Sequence, residues 1–193
     1  LKSIGMDELI AHNKNEYQEK AFFFATNPEE LEKIREKLKF KLKLYSDYWG
    51  APPYIDVIIN NDIQWSGHVK KRNKEDPLFI EFDYECTETE KYNMTIRRSK
   101  KVQGDTVVNE KGDILHDSLL HIQNVEIDDI NIGSLIYEAV YTPDYPKSIV
   151  KQHEEAGKEL PKNFNCVTTL GHNGDWTLPF ESPFYMWLLK SLY

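Results

Sequence analysis

The sequence predicts an all-β fold, an antiparallel β-sandwich of the jelly-roll type with short peripheral helices. Three observations carry that expectation. Between residues 54 and 140, apolar residues recur at every second position in short runs, as in Leu78, Ile80, Phe82, Tyr84 and Cys86. That is the period of a strand with one buried face. Turn residues separate the runs, so that roughly seven to nine short strands fit the chain. The strand–helix–strand rhythm of a parallel sheet is missing from the same span.

The elements follow in order. Residues 6–20 carry Leu9, Ile10 and Tyr17 at near-helical spacing, and Phe22, Phe23 and Phe24 then form an aromatic run that must be buried or dock on something. Asn27-Pro28-Glu29-Glu30 reads as a helix start: a cap, a first-turn proline and two acids at the positive dipole end. A helix over 28–37 gives way to a strand over 38–45, because Leu38, Phe40, Leu42 and Leu44 alternate with lysines; one continuous helix is the competing reading. Residues 1–37 are therefore expected to be an N-terminal helical extension packed on a sandwich domain of residues 38–193.

Trp49-Gly50-Ala51-Pro52-Pro53 breaks the chain. Strands over 54–60 and 63–69 form a hairpin about Asn60-Asn61-Asp62, and the alternating runs at 78–86 and from Tyr92 follow. Further strands are expected near 119–130 and 132–140. Residues 141–146, Tyr-Thr-Pro-Asp-Tyr-Pro, read as an aromatic loop stiffened by proline. A short helix over 147–156 ends at Gly157, and residues 165–170 and 175–180 suggest a closing hairpin about Gly171-His172-Asn173-Gly174. Ser182-Pro183 introduces a last helix, 184–192, that is apolar on most faces and needs covering.

Bulk properties narrow the function classes. The 193 residues suffice for one domain with a sizeable core. A net charge of −8 argues against nucleic acid as a partner. The basic runs at Lys70–Lys74 and Arg97–Lys101 read as solvated strand ends or loops. No apolar run approaches the ~20 residues of a membrane span, and the start shows no signal-peptide pattern. The two cysteines, Cys86 and Cys166, make neither a disulfide framework nor a thiolate zinc site. Dinucleotide, P-loop, nucleophile-elbow and zincin motifs are absent. Paired carboxylates for glycoside hydrolysis need no local motif and stay open as an alternative.

Residues 104–133 offer the chemistry. An acidic loop with Asp105, Asp113 and Asp117 feeds a strand of Leu120, Ile122, Val125, Ile127 and Ile130. Calcium takes six to eight oxygens from carboxylates and carbonyls, and those three aspartates are the candidate metal ligands, although their spacing is not that of an EF-hand. For a sugar, aromatic faces and amide or carboxylate groups are needed together. Trp49, Trp65, Tyr141 and Trp176 are the candidate stacking residues, with Asn173 as a polar contact. His172, in a glycine-flanked turn, is the most suggestive of the six histidines.

The pattern Asp117-x-x-Leu120-x-Ile122-x-x-Val125-x-Ile127-x-x-Ile130 behind an acidic loop resembles calcium-dependent xylan-binding carbohydrate-binding modules over about 30 residues. It departs from them at Ser118-Leu119, where those modules usually carry polar residues such as Arg-Asn. The resemblance implies a galactose-binding-like jelly roll, with Asp117 and more loosely Asp105 as metal ligands. The 141–146 segment, the 171–189 ending and the 52–60 strand resemble uncharacterised proteins of marine tailed phages, which implies a virion-associated or host-cytoplasmic setting. The expected function is a non-catalytic carbohydrate-binding module, calcium-assisted and phage-encoded, with a polysaccharide or glycan as partner. A virion assembly or interaction domain, in which the last helix and the Phe22–Phe24 segment form a homo-oligomer interface, is the alternative. A carbohydrate-active enzyme is the second alternative.

Overall fold

The computed structural model describes residues 10–27, 35–87 and 90–192. Among the described residues, thirteen strands run in chain order as β1 (Arg35–Asp47), β2 (Tyr54–Ile59), β3 (Asp62–His68), β4 (Leu78–Thr87), β5 (Lys91–Ser99), β6 (Val107–Val108), β7 (Ile114–His116), β8 (Leu119–Ile127), β9 (Ile130–Asn131), β10 (Val140–Asp144), β11 (Phe164–Asn165), β12 (Thr169–Leu170) and β13 (Asn173–Glu181). Helices α1 (Lys14–Thr26), α2 (Lys147–Glu155) and α3 (Phe184–Leu192) lie outside them in sequence. One antiparallel sheet has the order β12-β8-β1-β4 with β9 beside β8; the other has the order β11-β10-β13-β5-β2-β3. The β6–β7 pair is a separate hairpin. The antiparallel sandwich expected from period-two patterning is what forms.

Alternation builds the core. In β1, Leu38, Phe40, Leu42 and Leu44 are fully buried while the intervening lysines face out. Ile55, Val57 and Ile59 of β2, Met94 and Ile96 of β5, and Trp176, Leu178 and Phe180 of β13 meet them from the other sheet in one continuous cluster. The Phe40 and Phe180 rings touch edge to face at 5.6 Å, directly joining the two layers. On the wet face of the first sheet, Lys37 pairs with Asp83, Lys41 with Glu81 and Lys43 with Glu126. Surface pairs of this kind add little stability; they chiefly keep an open sheet face polar.

Five expectations need correction. The helix over 28–37 falls partly on residues 28–34, which lie outside the described residues, and by Arg35 the chain is already strand. Inward parity extends back to Glu36, which is fully buried and accepts hydrogen bonds from Ser182 Oγ (3.0 Å) and from the Phe184 N–H that opens α3 (2.8 Å). The first helix runs over Lys14–Thr26 instead of 6–20, and residues 1–9 lie outside the described residues. It includes the phenylalanine run yet buries none of its residues, leaving Phe22 72% exposed. The strand over 132–140 is a 3₁₀ turn at Gly133–Glu138, because Ile132, Leu135, Ile136 and Ala139 bury at a spacing of about three rather than two.

The remaining two corrections shape the rim. Residues 141–146 are largely strand β10, paired with β13 so that Pro143 lies opposite Gly174. Backbone there approaches so closely that a Cβ on Gly174 would sit 2.3 Å from the Thr142 carbonyl oxygen, and Gly174 adopts φ +138°. The closing hairpin does not form either: β12 joins β8 in one sheet and β13 joins β5 and β10 in the other. Gly171-His172 therefore crosses from layer to layer at one end of the sandwich. The last helix, by contrast, covers the core with Phe184 and leaves Met186, Leu189 and Leu192 exposed. Among the described residues no helix is long and apolar enough to cross a membrane.

Candidate functional site

The crossing at Gly171-His172 brings three distant segments to one rim: the exit of β5, the entry to β8 and the β12–β13 connection. Inward parity in β5 runs Tyr92, Met94, Ile96, Arg98, so the last inward position is a guanidinium only 1% exposed. Its NH2 donates to the Ser118 carbonyl (2.7 Å) and Ser118 Oγ (2.9 Å), and its NH1 donates to the Leu170 carbonyl. Burial lowers its pKa, with Asp117 and Asp105 opposing the shift, but guanidinium stays charged in proteins. Arg98 thus ties the second sheet to two segments of the first.

Lys101 does the same two residues beyond β5. Its Nζ donates to Asp117 Oδ1 (2.6 Å), the Gly171 carbonyl (2.5 Å) and the Ser118 carbonyl (3.2 Å). With a side chain only 10% exposed, it has spent all three donors on the protein. The Lys101 backbone is itself clamped by Asn173, whose Oδ1 accepts from the Lys101 N–H (2.9 Å) and whose Nδ2 donates to the Lys101 carbonyl (3.0 Å). The basic run at 97–101, read from sequence as solvated, is in fact split. Arg97 forms an exposed bidentate pair with Asp175, and Lys100 lies over the Tyr54 ring at 3.3 Å. Arg98 and Lys101 turn inward.

Asp117 is the polar centre. Its Oδ1 accepts from Lys101 Nζ, Thr106 Oγ1 (2.6 Å) and the Ser118 N–H (2.8 Å). Burial pushes its carboxyl up, but those three bonds outweigh it and hold the pKa below the ordinary aspartate value. Among the described residues no hydrogen bond reaches Oδ2, which leaves an ionised acceptor at the cleft. Beside it, burial and the Lys101 charge hold the His172 imidazole below its usual pKa, so it stands neutral at pH 7. The Tyr145 ring meets His172 edge to face at 5.0 Å.

These groups floor a cleft of about 430 Å³ between the β6–β7 hairpin and α2. Val108 and Ile114 form one wall and Pro146 and Ile149 the other, while Gln103, Ser148 and Gln152 add amide and hydroxyl groups. A shallower groove of about 740 Å³ runs on from Asp144 and Asn173 over Thr142, Gly174 and Asp175. The arrangement can hold a small polar molecule with apolar flanks by hydrogen bonding and contact.

The residues singled out from sequence fare unequally. Trp176 is fully buried with Nε1 donating to the Val167 carbonyl (2.9 Å), and Tyr141 is 3% exposed with its hydroxyl donating to the His172 carbonyl (2.8 Å). Both belong to the core because both lie on the inner face of the second sheet, and neither offers a face to a ligand. Trp65 folds over its own strand, where a Cβ on Gly67 would meet the indole at 2.7 Å. Trp49 is half exposed, its ring stacked on His116 at 4.1 Å, and its backbone N–H donates to the Asp117 carbonyl (3.1 Å). It stands on the same rim without lining the cleft. Asn173 lines the cleft, but its amide holds Lys101.

The three aspartates do not act together. Asp113 bonds Asn109 within its own hairpin turn, and Asp105, 8% exposed, accepts from the Val102 N–H (2.9 Å). Asp117 is taken by Lys101. Among the described residues no group of three His, Cys, Asp or Glu side chains could hold a metal ion. Calcium does not fit this donor set, because an ammonium already sits among the oxygens it would need. Sequence reasoning missed Lys101, Thr106 and Gln152; for Arg98, β5 parity was the available signal.

Two solved structures are similar to this chain. One, vCBM60, is described among calcium-dependent carbohydrate-binding modules; it matches with a TM-score of 0.41 at 6% identity, over 73% of this chain and 89% of its own. The other, vCBM60 in complex with galactobiose, gives a TM-score of 0.40 at 6% identity, over 72% and 96% respectively. No family model matches the chain, and no curated protein does.

Proposed function

We propose that this chain is a non-catalytic carbohydrate-binding module whose ligand seats in the cleft between the β6–β7 hairpin and α2. The observation that carries the reading is the composition of that cleft. Its polar floor is an ionised Asp117 with one unengaged oxygen, a neutral His172 and the side chains of Thr106 and Gln152; its walls are the aliphatic Val108, Ile114, Pro146 and Ile149. A pyranose has the complementary pattern, hydroxyls around its edge and C–H groups on its faces. The volume of about 430 Å³ lies within the ~300–1,000 Å³ typical of ligand sites and exceeds one sugar unit. The half-exposed Trp49 on the same rim supplies an aromatic surface for a longer glycan. Calcium assistance is not part of this reading, since Asp117 faces the Lys101 ammonium while Asp105 and Asp113 bond elsewhere.

Affinity electrophoresis against a panel of plant, algal and bacterial polysaccharides, with and without calcium, tests the reading. Ile114→Arg and Gln152→Ala are expected to weaken retention about tenfold or more, whereas Ile63→Ser on β3, outside the cleft, leaves it unchanged. Retention on none of the panel, or retention that survives both cleft variants, would overturn it.

A further inference from the structure

The acidic loop invites a metal ion, yet the structure places a side-chain cation among its oxygens. We propose that the Lys101 ammonium is the resident cation of this rim, held in an oxygen cage of Asp117, Ser118 and Gly171, and that it takes over the cross-linking task of a bound metal. The inference stands on geometry alone and does not depend on what the cleft binds.

Three observations support it. The cage is built from segments far apart in the chain: Asp117 and Ser118 lead into β8, and Gly171 follows β12, and the one ammonium joins an oxygen of each. The ammonium makes hydrogen-bond contact with all three, to Asp117 Oδ1 as a charge-assisted pair. The cage is also prepared without the lysine. Thr106 Oγ1 and the Ser118 N–H hold Asp117 Oδ1, Arg98 holds Ser118 Oγ and its carbonyl, and Asn173 holds the Lys101 backbone at both its N–H and its carbonyl. Arg98, the second buried cation, directs its NH1 and NH2 at the Leu170 carbonyl and at Ser118, and no hydrogen bond joins it to Asp117 or to the Gly171 carbonyl among the described residues. By spending its three donors on protein oxygens, Lys101 fixes Asp117 Oδ1 and leaves Oδ2 to the cleft.

The test uses the whole chain freed of metals with a chelator. Melting temperatures are compared for the parent protein, Lys101→Met, Lys101→Arg and Lys101→Ala. The parent is expected to melt at the same temperature with chelator and with millimolar calcium. Lys101→Met, close to isosteric but neutral, is expected to melt roughly 5–15 °C lower, because it removes the ammonium facing the part-buried Asp117 and its bond to the Gly171 carbonyl. Lys101→Arg, which keeps the charge, is expected to recover more than half of that loss. Lys101→Ala, with a vacant cage, is expected to regain melting temperature with n-propylammonium chloride but not with sodium chloride at equal ionic strength. If Lys101→Ala does not fold, the Met and Arg variants decide between charge and packing. A calcium-dependent rise in the parent, a Met variant as stable as the parent, or equal effects of the alkylammonium and sodium salts would each overturn the proposal. None of these readouts involves a glycan, so a failure here is separable from a failure of carbohydrate binding.

Discussion

Replacing Trp176 by phenylalanine separates a core tryptophan from a sugar platform. The indole is fully buried on β13, opposite Tyr141 on one side and Ile96 on the other, with Nε1 bonded to the Val167 carbonyl at 2.9 Å. Phenylalanine keeps a ring but withdraws part of the buried volume, worth about 1–3 kcal/mol by analogy with other core truncations. It also strands the Val167 carbonyl, adding about 1 kcal/mol where water reaches it in part. The sum, roughly 2–4 kcal/mol, corresponds to a fall in melting temperature of about 5–15 °C for a domain of this size. Urea titration followed by far-ultraviolet circular dichroism should show the midpoint falling with an unchanged slope. Glycan retention, measured where the variant is folded, should be unaltered. A stability loss below about 0.5 kcal/mol together with weakened retention would refute the assignment of Trp176 to the core.

Two further perturbations follow from the same rim. Gly174→Ala would force a Cβ to within 2.3 Å of the Thr142 oxygen and 2.8 Å of Pro143 Cα at φ +138°. Because both obstacles are backbone, β10 must separate from β13, and a loss of about 3–5 kcal/mol is expected in urea titration; a variant within about 1 kcal/mol of the parent would refute it. Acid should act through His172. Its folded pKa lies below the unfolded value, so as pH falls below about 6.5 the unfolded chain takes up the proton first and stability declines, levelling once pH passes the folded pKa. Melting between pH 8 and pH 5 should show this loss reduced in His172→Gln; identical slopes in both proteins would rule it out.

Much of the framework was legible because it is local. Period-two runs at Leu38–Leu44 and Leu78–Cys86 became β1 and β4, and the apolar last helix formed where Ser182-Pro183 introduced it. Parity alone carried more than was read from it. Trp176 shares its face with Leu178 and Phe180, and Arg98 shares its face with Tyr92, Met94 and Ile96, so a core tryptophan and an inward guanidinium were both implied. Residues 132–140 misled because Ile130 and Ile132 continue the alternation of β8, whereas the buried positions beyond them switch to the spacing of a 3₁₀ turn. The hairpin about Gly171–Gly174 misled because a turn sequence states that the chain bends, not which sheet it leaves for.

By itself, then, the sequence determined a two-layer antiparallel sandwich, since alternation every second residue leaves a strand no other way to bury one face and wet the other. Tertiary structure alone decided what the acidic loop does. Whether Asp117 meets a metal ion or a lysine depends on residues 16 positions before it and 54 after it arriving at the same rim, and no local pattern encodes the meeting of segments so far apart.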